Sequence, residues 1–125
     1  MCHVLIIEDE PMIAMLIREI LEDAGATSFD FAASQNEAIA AANHRTPAMI
    51  TSDVKLLEDT GPLAVEAIHR QVGPIPVLFI SATRQDCEPC PEQARVISKP
   101  FAQAMVTEAF IQLSALAHPD RAFEA

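Results

Sequence analysis

Apolar positions along the chain follow two rhythms. Continuous apolar runs occur at His3-Val4-Leu5-Ile6-Ile7, at Met49-Ile50-Thr51-Ser52 and at Val77-Leu78-Phe79-Ile80. Runs of this length suit strands buried on both faces. Thr27–Ala33 instead alternates Phe29 and Phe31 with smaller or polar residues, the pattern of a half-buried edge strand, and Arg95–Ser98 makes a short fifth strand. Helical spacing fills the intervals. Ile13, Leu16, Ile17, Ile20 and Leu21 follow Pro11 as the inward stripe of a first helix, which Gly25 stops. Ser34-Gln35-Asn36-Glu37 is a capping box that starts a second helix, with Ala38, Ile39 and Ala42 inward. Leu63, Ala64, Ala67, Ile68 and Val72 mark a third, after a loop closed by Thr60-Gly61-Pro62 and before a stop at Gly73-Pro74. Val106, Ala109, Phe110 and Leu113 mark a last helix over about 102–117.

Strand and helix alternate from end to end, with no repeat, linker or low-complexity tract. This predicts an α/β fold, a parallel sheet covered on both faces. Right-handed crossovers and one change of winding direction give a doubly wound, flavodoxin-like sheet of five strands in the order 2-1-3-4-5. Residues 84–94 interrupt the pattern. They hold two prolines and few apolar residues, so a helix there must be short or irregular and start near Pro91. The chain of 125 residues reads as one domain, with a core over about 3–117 and a tail over 118–125 too short to be another module.

Composition narrows the function classes. The formal charge is −10, and an acidic surface repels phosphate backbones, so direct nucleic-acid binding is not expected. No apolar run approaches the roughly 20 residues of a membrane span. Met1-Cys2-His3-Val4 lacks a basic secretory start, which points to the cytoplasm. Cys2, Cys87 and Cys90 are too few and too odd for a disulfide framework. The C-x-x-C spacing of the last two supplies only half of a metal site and reads as incidental loop thiols.

The chemistry collects at strand ends. The first strand ends on Glu8-Asp9-Glu10, the third on Asp53, the fourth on Ser81-Ala82-Thr83 and the fifth on Lys99. The carboxyl ends of an open parallel sheet form its ligand crevice, and the strand order brings Glu8, Asp9 and Asp53 together there. Three close carboxylates need a cation, and hard oxygen donors suit Mg²⁺. Glycine-rich phosphate loops are absent from the sequence. An acid nucleophile, a divalent cation, a hydroxyl and a lysine are the parts of phosphoryl transfer to a carboxylate. Taken singly, each residue has a plainer reading. The acids could favour a helix N-terminus, Asp53 could start a loop, and Lys99-Pro100 could be a turn. Their joint placement on one rim is what carries the functional reading.

The same residues resemble the response-regulator receiver domains of two-component signalling over essentially the whole chain. The matching pieces are Glu8-Asp9, Asp53, Gly61, Ser81-Ala82 and Lys99-Pro100-Phe101. The resemblance also carries part of the strand order. It implies Asp53 as phosphoacceptor, and Mg²⁺ held by Asp9, Asp53, the backbone carbonyl of Lys55 and, directly or through water, Glu8. Ser81 would be the switch hydroxyl, Lys99 the catalytic lysine, and Lys99-Pro100 a cis bond. Lys55 and Thr83 would modulate the site, with Lys55 reaching over the acyl phosphate to tune its lifetime. Leu57 departs from the family, which usually has proline there. Val96 departs as well, where most members carry the aromatic switch residue. Val96, the short Pro-rich segment before Lys99 and Phe101-Ala102 resemble the FAT GUY receivers, whose signature Gln103-Ala104-Met105 does not continue. With no ring at Val96, the segment over residues 82–94 is expected to order on phosphorylation and so to carry the signal.

The expected function is a stand-alone receiver in a phosphorelay, not a classical enzyme. It would take its phosphoryl group from a histidine kinase or histidine phosphotransfer protein and switch the binding of a downstream protein. Homodimerisation is left open. The alternative is a pseudo-receiver that serves as a constitutive interaction module. A third class, a phosphatase with an Asp53 nucleophile, needs a proton-donating acid just beyond it, where Lys55 stands.

Overall fold

The strand–helix alternation is realised in the computed structural model, which describes residues 2–53, 61–81, 94–99 and 101–117. The strands are β1 (His3–Ile7), β2 (Ser28–Ala32), β3 (Met49–Ser52), β4 (Val77–Ser81) and β5 (Ala94–Ser98). The helices are α1 (Pro11–Asp23), α2 (Gln35–His44), α3 (Gly61–Val72) and α4 (Gln103–Ala117). Every strand pair is parallel, in the order β2-β1-β3-β4-β5. The expected short helix near Pro91, the expected ordering of residues 82–94 and the tail from 118 lie outside the described residues. Among the described residues no helix is long and apolar enough to cross a membrane.

Successive strand residues point to opposite faces, so each strand feeds two cores. On one face, Val4, Ile6, Met49, Leu78, Ile80 and Ile97 meet the inward stripes of α1 and α4. That contact buries all four residues expected to face inward from α4: Val106, Ala109, Phe110 and Leu113. On the other face, Leu5, Ile7, Ile50, Val77 and Phe79 meet Ala38 and Ala42 of α2 and Ala64, Val65 and Ile68 of α3. β2 is the half-buried edge that its alternation predicts, with Phe31 largely exposed. The Arg18 guanidinium of α1 lies 5.7 Å from the centre of the Phe29 ring.

Three local expectations are corrected. Leu16 is 44% exposed and Ala14 is buried in its place. The stripe of α1 centres on Ala14, Ile17 and Leu21 with Ile20 at its edge, and at about 100° per residue Leu16 falls beyond that edge. Leu63 is likewise exposed, while Val65 is buried with Ala64 and Ile68. Gly61 and Pro62 belong to the first turn of α3, not to the preceding loop. Pro62 suits that turn because a missing N–H there forfeits no helical bond.

Helix ends follow the residues that set them. The Ser34 hydroxyl accepts from the Glu37 N–H at 3.2 Å. The Glu37 carboxylate reaches back to the Ala33 N–H at 2.9 Å, one residue earlier than the standard capping box. Gly25 and Gly73 follow α1 and α3 at φ of +119° and +94°, where a side chain would be strained. At the start of β1, buried His3 is bracketed by the Ser28 hydroxyl at 2.8 Å and the Asp30 carboxylate at 2.9 Å. These bonds satisfy the ring and tie the edge strand to the centre of the sheet.

Candidate functional site

The sheet ladder runs one residue past β1 and β3 and thereby fixes two acids. The Glu8 N–H donates to the Ala32 carbonyl at 2.8 Å, and the Asp53 N–H donates to the Ile7 carbonyl at 2.9 Å. The side chains of Glu8 and Asp53 continue the α1/α4 face of the pleat. Lys99 follows β5 on the same face, one step beyond the buried Ile97. Its Nζ donates to Glu8 Oε1 and to Asp53 Oδ2, each at 3.2 Å. Three strand tips are therefore tied together by one ammonium.

Two carboxylates and one lysine leave a surplus of negative charge in a buried place. The Glu8 side chain is 1% exposed and that of Asp53 is 11% exposed. Burial, reinforced by the charge of Asp53, pushes the Glu8 carboxyl from its ordinary 4.5 to about 7. The Glu10 N–H, which donates to Glu8 Oε2 at 3.2 Å, and the Lys99 ammonium oppose that shift. For Lys99, burial disfavours the charge, but Asp53 and Glu8 outweigh it and hold the ammonium above the usual lysine range. A second cation at this rim would relieve the same surplus.

The donors for such a cation are present. One carboxylate oxygen from each of Glu8, Asp9 and Glu10 falls within 4.8 Å of the others. An all-oxygen, all-anionic set suits a hard divalent ion such as Mg²⁺. Glu10 was not among the expected ligands, although the run of three acids contained the signal. Asp53 is not in this trio, and its Oδ2 accepts from the Lys99 ammonium that also bonds Glu8. A cavity of about 270 Å³ opens beside Glu8 and Asp9, lined further by Ala14, Met15 and Phe31.

The structure brings Glu8, Asp53 and Lys99 together and sets Asp9 beside Glu8. Ser81 is the last residue of β4, in register with Ser98 of β5. Val96 is half-buried and packs against the α2/α3 core, as an aliphatic residue does. Lys55, Leu57, Thr83, Cys87, Cys90 and Pro100 lie outside the described residues. Ser52 was read from the sequence only as the strand's end. Its hydroxyl donates to the Asp53 carbonyl at 2.7 Å in a buried setting.

Comparisons with known proteins agree with this geometry. Residues 4–111 match the family described as the response regulator receiver domain. The chain is similar to the phyllosphere-induced regulator PhyR of Methylorubrum extorquens, with 33% identity over 113 residues. That alignment covers 88% of this chain and 42% of PhyR, so the chain spans less than half the length of this curated relative. The receiver domain of Erythrobacter litoralis PhyR superposes with a TM-score of 0.80 at 31% identity, covering 90% of this chain and 88% of that one. The anti-anti-sigma factor PhyR from Bartonella quintana superposes with a TM-score of 0.76 at 31% identity, covering 98% of this chain and 50% of that one.

Proposed function

The chain belongs to the response regulator receiver domain family, and on that footing we propose that it serves a phosphorelay by accepting a phosphoryl group on Asp53. The donor is the phosphohistidine of a histidine kinase or histidine phosphotransfer protein. The observation that carries this reading is the Lys99 ammonium spanning Glu8 and Asp53 at the ends of three strands.

The Asp53 carboxylate, held by the ladder bond of its own N–H, attacks phosphorus in line. An O–P bond forms as the P–N bond to the donor ring breaks, and the ring, protonated beforehand on its other nitrogen, leaves as neutral imidazole. Lys99 is already within reach of the Asp53 oxygen and stabilises the charge on the transferring group. Ser81, the last residue of β4, would supply the switch hydroxyl. Bound Mg²⁺ would neutralise the phosphoryl oxygens. Glu8, Asp9, Asp53 and the Lys55 carbonyl are its proposed ligands, and Glu10 stands within the acidic trio. The phosphorylated domain, residues 1–125, then changes its affinity for a protein partner in the cytoplasm. The likeness to PhyR, an anti-anti-sigma factor in Bartonella quintana, points that partner toward sigma-factor control.

The test is incubation with Mg²⁺ and acetyl phosphate, followed by intact-mass measurement and hydrolysis at acid and alkaline pH. A single adduct, acid-stable and base-labile, is expected for the wild type. Asp53→Asn should form none while keeping its fold, because the amide matches the shape and lacks the nucleophile. If the wild type also forms none, the chain is a pseudo-receiver that works by binding alone.

A further inference from the structure

Asp53 is fixed at its N–H by β1, but its carbonyl lies past the end of β3. That oxygen accepts the Ser52 hydroxyl at 2.7 Å, with Ser52 2% and Asp53 9% exposed. Ser52 alternates with Asp53 along the strand, so the two side chains leave on opposite faces. The carboxylate turns toward Glu8 and Lys99, and the hydroxyl turns toward α3. The first residue of α3 closes the junction. A Cβ at Gly61 would stand 1.8 Å from the Asp53 carbonyl oxygen and 2.2 Å from Ser52 Oγ. Only a residue without a side chain lets the helix start there. Asp53 is thus held by a ladder bond at its N–H, a buried hydroxyl bond at its carbonyl oxygen and the start of α3 against that oxygen.

We propose that Ser52 is a positioning residue for the phosphoacceptor: its hydroxyl pins the Asp53 carbonyl under Gly61 and so keeps the Asp53 carboxylate aimed at Lys99. The role rests on the reading of Asp53 as the site of phosphorylation. Removing the hydroxyl takes a partner from a buried carbonyl, which favours rotation of the peptide. Rotation shifts the Cα frame from which the carboxylate projects. In-line attack is sensitive to misplacements of an ångström, which can cost up to about 100-fold in rate.

The experiment compares wild type, Ser52→Ala and Ser52→Thr for the rate of adduct formation with acetyl phosphate at saturating Mg²⁺. The Mg²⁺ dissociation constant and the melting temperature are measured alongside. Ser52→Ala is expected to slow phosphorylation by about tenfold, with the Mg²⁺ dissociation constant within about twofold of wild type. Ser52→Thr keeps the hydroxyl and should recover most of the rate. An unchanged rate in Ser52→Ala, even with a lower melting temperature, overturns the proposal and leaves Asp53 as acceptor. Loss of rate and Mg²⁺ affinity together marks general damage and also overturns it, as does a Ser52→Thr protein no faster than Ser52→Ala. A wild type that forms no adduct removes the phosphorylation reading itself, and this role with it.

Discussion

On the α1/α4 face the strands end in Glu8, Asp53 and Lys99, whereas on the α2/α3 face β3 ends in Ser52 packed under Gly61. The same backbone supplies both ends, and the pleat sorts alternate residues between them. Below the ionic end lie Ile17, Ile20, Leu21, Phe110 and Leu113. Below the closed end lie Ala38, Ala42, Ala64, Val65 and Ile68, and Gly61 brings the start of α3 against the Asp53 carbonyl. A cavity opens at the ionic rim beside Glu8 and Asp9, where α1 contributes Pro11, Ala14 and Met15 to its lining. Gly61 closes the opposite rim, so Asp53 meets Lys99 through its carboxylate on one side and is braced by Ser52 and Gly61 at its carbonyl on the other.

On the α1/α4 face, Phe110→Ala should do most damage. Phe110 is 4% exposed within that core. Its truncation should cost about 3–5 kcal/mol of stability, measured by urea denaturation. The reverse change tests the other face. Ala42, 1% exposed on α2, faces the sheet core shared with α3. Ala42→Leu should cost about 1–3 kcal/mol, because the added carbons have nowhere to go. A neutral Ala42→Leu would show that this face has slack.

A third effect is electrostatic and belongs to the ionic rim alone. The Glu8 carboxyl titrates near 7 in the fold and near 4.5 in the unfolded chain. Between those values the folded state binds more protons, so stability should fall as pH rises from about 4.5 to about 7. Glu8→Gln should lose that part of the slope, and Mg²⁺ should flatten it in the wild type. Melting curves across the window, with and without Mg²⁺, provide the check. An identical slope in Glu8→Gln would mean that another group carries it.

Much of the architecture was legible in residue order alone. Continuous apolar runs marked the buried strands, alternation at Phe29 and Phe31 marked the edge, and Gly25 and Gly73 marked helix ends. These are local consequences of side-chain periodicity and backbone freedom, which neighbours in the chain determine. Asp53 and Lys99 were also visible, because a charged residue directly after an apolar strand must sit at its tip. The strand order that makes those tips neighbours came partly from family resemblance, since parallel pairing is non-local. Only the tertiary structure decided that one Lys99 ammonium serves both Glu8 and Asp53, that Asp53 stands outside the trio of Glu8, Asp9 and Glu10, and that Ala14 is buried while Leu16 is not. It also decided that Ser52 braces the Asp53 carbonyl under Gly61. The physical reason is common to all of these: each depends on where a side chain meets groups brought in from a distant part of the chain, and periodicity within one element does not encode that distance.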